Sequence, residues 1–155
     1  MERRRSRSRS DDAATGPAFA YDAFVSYCHA DLAWVRDVLV ARLEAARCRV
    51  CIDYRDFRPG ASSVLEMERA VMQSRKTLVV LTPEYLDSEW TSFESVLAQT
   101  LDPAARQRRM LTLLLEPIEL PLRLRALVYL SFTDPSRADA SFTTLISAIR
   151  RDRAR

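Results

Sequence analysis

At 155 residues the chain has room for one domain with one core, and a hydrophobic fraction of 48% is ordinary for a globular protein. Its longest apolar runs, such as Met110 to Leu115, are too short to cross a bilayer, and Met1 to Asp12 lacks the apolar stretch of a secretory signal, so a soluble, cytoplasmic protein is expected. Net charge is +3: Arg3, Arg4, Arg5, Arg7 and Arg9 against Glu2, Asp11 and Asp12 give the first residues +2, and the body, at +1, carries no aromatic-plus-basic signature that would make nucleic acid a partner.

In chain order, residues 1–18 read as a disordered basic Arg/Ser tail and linker ahead of one folded domain over residues 19–151. Phe19 to Tyr27 is a largely apolar strand, suited to cover on both faces. Asp31 is placed to cap a helix whose Leu32, Val35, Leu39, Leu43 and Ala46 recur at three- and four-residue steps. Arg49 to Asp53 is a second short strand, and Tyr54 to Gly60 a loop ending in the turn signal Pro59-Gly60. Gly16 and Gly60 are the only glycines, so Gly60 is expected at a positive φ.

Ser62 or Ser63 starts a helix through Met72, with Val64, Met67, Val71 and Met72 expected inward. Thr77 to Leu81 is a third strand, and Thr82-Pro83 opens a helix with its cap and first-turn proline. A break at Asp87-Ser88 precedes a longer helix from Glu89 to Leu101. Met110 to Glu116 and Val128 to Phe132 are two more strands, separated by a short helix or turn at Pro121 to Ala126. Ser141 to Arg151 closes the chain as a helix with Phe142, Leu145, Ile146 and Ile149 on one side. Five strands alternating with helices predict an α/β fold with a flavodoxin-like five-stranded parallel sheet flanked by helices.

Several chemistries are excluded. Two glycines cannot build a phosphate-cradling loop, and no Gly-x-Ser-x-Gly elbow accompanies Ser26 and His29. Cys48-x-x-Cys51 has no second pair, and His29 is the one histidine, so the cysteines read as plain thiols and no metal site is expected. The third strand ends Leu81-Thr82-Pro83, without the clustered acids of a response regulator. Glu94 stands out, because helical projection sets it beside Trp90 and Leu101, near Phe93 and Leu97. A carboxylate on an apolar edge needs a partner or a purpose, and a rim glutamate paired with an arginine is the plain alternative.

Three motifs occur in order: Tyr21-Asp22-Ala23-Phe24-Val25-Ser26-Tyr27, then Arg55-Asp56-Phe57-Arg58-Pro59-Gly60, then Leu81-Thr82-Pro83-Glu84-Tyr85-Leu86 followed by Ser88-Glu89-Trp90 and Glu94. Together they resemble the Toll/interleukin-1 receptor (TIR) domain family over residues 19–151. The arginine-dominated basic residues, with Lys76 the lone lysine, suggest a small bacterial-type member.

The resemblance implies that Tyr54 to Gly60 is the family's BB loop, with Arg55, Asp56, Phe57, Arg58, Pro59 and Gly60 as a surface for homotypic TIR–TIR association. It also implies one of two activities: cleavage of the nicotinamide–ribose bond of NAD+ in defence signalling, or non-catalytic scaffolding. Glu94, four residues after Trp90, matches the family's catalytic glutamate. Trp90, Ser26, Tyr27 and Asp53 would line the substrate pocket, and Arg55 and Arg58 would hold the pyrophosphate by guanidinium forks. NAD+ would be a substrate, and no cofactor is implied.

Overall fold

The computed structural model describes residues 19–99, 110–120, 122–125 and 128–151. The expected tail and linker lie outside them, as does Leu101. Strand β1 (Tyr21–Ser26) leads through a 3-10 turn at His29–Asp31 into α1 (Leu32–Trp34), a π-helical stretch (Val35–Val40) and α2 (Ala41–Ala45). Then follow β2 (Val50–Cys51), α3 (Asp53–Asp56), α4 (Ser63–Gln73), β3 (Ser74–Leu81), α5 (Pro83–Ser88) and α6 (Trp90–Gln99). The remainder is β4 (Met110–Leu114), α7 (Leu122–Arg125), β5 (Tyr129–Ser131) and α8 (Ala138–Arg151).

The five strands form one parallel sheet in the order β2-β1-β3-β4-β5, the flavodoxin-like order the alternation predicts. Side chains alternate between its faces. Ala23, Val25, Leu78 and Val80 point to one side, where Val35, Leu39, Leu43, Phe142, Leu145 and Ile149 cover them. Phe24, Val79 and Leu81 point to the other, under Ala70, Val71, Tyr85, Phe93 and Val96. Cys48 and Cys51 fall in opposite cores, so they form no paired site, and burial pushes the Cys51 thiol up to about 12.

Local chemistry sets the element ends. Thr82 Oγ1 accepts from the Tyr85 N–H at 3.2 Å with Pro83 in the first turn, as the sequence implied. The α2 helix stops without glycine: Arg47 takes φ +62° while its N–H reaches Glu44 O and the Cys48 N–H reaches Leu43 O, a Schellman closure.

Three expectations are corrected. Asp31 caps nothing; its Oδ2 accepts from Thr82 Oγ1 at 2.7 Å, tying α1 to the end of β3. Tyr54 to Gly60 is not loop throughout, because Asp53–Asp56 makes a helical turn closed by the Asp56 and Phe57 N–H groups on Ile52 and Asp53 carbonyls. Val64 and Met72 are exposed, Met72 at 55%, while Glu66 and Ala70 join Val71 inside. The helix is rotated because Glu66 finds two arginines there, and a fully paired carboxylate is tolerated where an unpaired one is not.

Candidate functional site

In a sheet of this order, β1 and β3 send their connections to opposite faces, leaving a crevice at the carboxyl ends of the strands. A cavity of about 290 Å³ lies there. Phe24, Phe57, Val64 and Met67 supply apolar walls, and Ser26, Tyr27, His29, Asp53, Glu89 and Ser92 supply polar ones. The Phe57 ring stacks on Phe24 with centroids 6.0 Å apart and planes at 24°, so the segment leading to Pro59 is also a wall of the cleft.

Asp53 organises the polar side. Its Oδ1 accepts from the Tyr27 hydroxyl at 2.7 Å and from the Tyr54 N–H at 2.8 Å, and its Oδ2 lies 3.8 Å from His29 Nε2. Burial, then the bond to Asp53, raises the Tyr27 phenol well above its ordinary pKa, so it stays a neutral donor. Ser26 Oγ and Tyr85 Oη share a hydrogen bond of 2.9 Å in the floor, and burial likewise raises the Tyr85 phenol.

Of the residues nominated from sequence, Ser26, Tyr27 and Asp53 meet in this cleft. Trp90 is buried beside Phe93, with ring centroids 6.2 Å apart, and Glu94 is half-buried on α6; neither is among the cleft-lining residues. Arg55 reaches Glu44 Oε1 at 2.7 Å and donates to Val50 O at 2.8 Å. Arg58 turns to Glu66, its Nη2 at 2.7 Å from Oε1. Both guanidiniums are thus engaged within the chain, and no Arg or Lys lines the cleft among the described residues.

Glu89 was not singled out from sequence, yet it and Ser92 enter the cleft. The signal was present, since Glu89 closes α5 immediately before Trp90, and a residue at a helix junction escapes the periodicity that places its neighbours.

The segment after α3 is exposed at Arg58, Pro59, Gly60 and Ala61. Gly60 has φ +79°, as the turn signal predicts, and an added Cβ would meet nothing within 4 Å. Asp56 Oδ2 accepts from the Ile52 N–H at 2.9 Å, fixing the base of this loop to the end of β2.

Among the described residues no group of His, Cys, Asp and Glu is placed to hold a metal ion, and no helix is long and apolar enough to cross a membrane. A family model described as "TIR domain" matches residues 23–146. Toll-like receptor 13 of Mus musculus is 42% identical over 87 residues, which is 54% of this chain and 9% of the receptor. Toll-like receptor 6 of Homo sapiens is 35% identical over 98 residues, 63% of this chain and 12% of the receptor. The chain therefore spans about a tenth of the length of the receptors it matches.

Among solved structures, the TIR domain of the Toll-related receptor TRR-2 from Hydra magnipapillata superposes with a TM-score of 0.72 at 25% identity, covering 84% of this chain and 98% of that one. A metazoan TIR-STING receptor from C. gigas, in complex with 2',3'-cGAMP, gives 0.69 at 30% identity, covering 86% and 40%. The relatives named here are animal proteins, so the expectation of a bacterial source rests on composition alone.

Proposed function

The chain belongs to the TIR domain family, and on that premise we propose that it is a cytoplasmic signalling module in innate immunity or defence, docking on other TIR domains through Arg55 to Gly60. The observation that carries this reading is the loop itself. Its tip, Pro59 to Ala61, is exposed, while its base is fastened by Asp56 to β2 and its Arg58 to α4. An exposed loop held in one shape loses little freedom on docking, and that favours association. The test is self-association of the purified chain, and its capture of other TIR domains, over a concentration series. Pro59→His should reduce both by about tenfold or more with the melting temperature unchanged, as expected of a residue central to an interface. An unchanged association would sink the reading.

A second reading, cleavage of NAD+, is favoured by the acidic cleft at the strand ends and by Glu94 four residues after Trp90. The nicotinamide nitrogen of NAD+ is already cationic, so when the C–N bond breaks its electron pair neutralises the leaving group and no general acid is required. Positive charge gathers on the ribose, which an ionised Glu94 would stabilise. Water then bonds to the ribose carbon and loses a proton to give ADP-ribose, or an adenine nitrogen attacks to give a cyclic form. Ser26, Tyr27 and Asp53 would line the pocket, Trp90 and Glu94 would have to turn toward it from α6, and Arg55 and Arg58 would be redirected to the pyrophosphate. Release of nicotinamide by the wild type but not by Glu94→Ala, with folding equal in both, would support this reading. No release from verified oligomers would remove it.

A further inference from the structure

Glu66 does not line the cleft and is not part of the exposed tip, yet it is a carboxylate only 1% exposed. A buried carboxylate persists only where its lone pairs are filled. Here Oε1 accepts from Arg58 Nε at 3.1 Å and Nη2 at 2.7 Å, while Oε2 accepts from the Arg58 backbone N–H at 3.0 Å and Arg69 Nη2 at 2.7 Å. Arg69 Nη2 also donates to Asp56 O at 3.3 Å. Two cations and one main-chain amide thus converge on one carboxylate, and the amide belongs to the residue immediately before Pro59.

We propose that Glu66 is a positioning residue that holds the loop from Phe57 to Ser62 in its docking shape, an inference resting on the reading of that loop as a docking surface. The grip on the Arg58 main chain distinguishes this from simple packing. An apolar side chain of similar volume could support α4 equally well, but could not hold the Arg58 N–H. Upstream, Phe57 is stacked on Phe24 and Asp56 is bonded to Ile52. Downstream, Ser62 caps α4 by accepting from the Leu65 N–H. With both ends set, Arg58 is the point at which the loop's path is decided, and Gly60, at φ +79°, supplies the positive φ within the loop that lets the chain turn back.

The experiment compares the full chain with Glu66→Gln, which keeps the shape and removes the charge. It measures hydrogen exchange over residues 57–62, self-association, and exchange in β1 and β3. Loss of charge-assisted bonds should speed loop exchange and weaken self-association by about tenfold each, with exchange in the strands changed less than about twofold. Unchanged loop exchange overturns the proposal. Faster loop exchange with unchanged association keeps Glu66 as the residue that holds the loop and overturns the docking reading instead. If Glu66→Gln does not fold, Arg69→Gln removes one of the two cations on the same carboxylate. Its loop exchange should then rise about threefold, and no rise overturns the proposal.

Discussion

Glu66 also shows how one residue's ionisation enters stability. Its bonds to the Arg58 side chain, then to the Arg58 backbone N–H, hold its carboxyl at about 2, below the ordinary 4.5. A depressed folded-state pKa means that the charged form stabilises the native chain above the unfolded value, and this contribution fades as pH falls through the folded one. The melting temperature of wild type should therefore exceed that of Glu66→Gln most above about pH 5, with the gap closing toward about pH 2. Thermal melts from acid to neutral pH check this, and a gap independent of pH would contradict it. A neutral pair behaves differently. In Tyr85→Phe the Ser26 hydroxyl, 2.9 Å from the lost oxygen, is left buried without that partner. The expected cost is about 1 kcal/mol at any pH below the phenol's ionisation, read as a shift in urea midpoint with unchanged slope.

At the scale of elements, α8 and α4 make opposite cases for periodicity. On α8 the stripe Phe142, Leu145 and Ile149 is buried as the sequence predicts, because nothing but apolar burial decides its face. Leu145, with no exposure, should cost about 2–5 kcal/mol when cut to alanine. On α4 the same counting placed Met72 inward, yet it is exposed; Met72→Ala should change stability by no more than about 0.5 kcal/mol in the same denaturation measurement. The difference lies in Glu66, which a hydrophobic count scores as surface. Its partners, Arg58 in a loop and Arg69 on the next turn, are legible only once the chain has folded. Asp31 was misplaced for a related reason, since a cap residue adjacent in sequence proved to be a tether to Thr82, 51 residues on. Strand order, the cap at Thr82 and the positive φ of Gly60 were readable because alternation, a Thr-Pro start and a scarce glycine are local signals.

For the whole molecule, Ser26, Tyr27 and Asp53 come together because Ser26 ends β1, Tyr27 follows it directly, and Asp53 opens α3 two residues past β2, the strand paired with β1. The sequence could not anticipate how Arg55 and Arg58 are used, since that depends on Glu44 and Glu66 across the fold. Those two engagements differ in strength. Arg55 and Glu44 form a half-exposed pair of the kind worth no more than about 1 kcal/mol, whereas Arg58 is held by a buried carboxylate. A single copy therefore presents an acidic cleft whose nominated phosphate-binding cations are turned away, one loosely and one firmly. If the chain cleaves NAD+, a neighbouring copy docking at the loop is the natural source of the change that completes the site. Nicotinamide release per mole of protein should then rise with protein concentration, by about tenfold across the range in which self-association develops. Glu94→Ala should abolish it at every concentration. A constant specific activity, still dependent on Glu94, would mean that one copy suffices and that Arg55 swings into the cleft by itself. In that case Arg55→Ala should raise KM for NAD+ while leaving kcat nearly unchanged, the signature of lost binding common to ground and transition states.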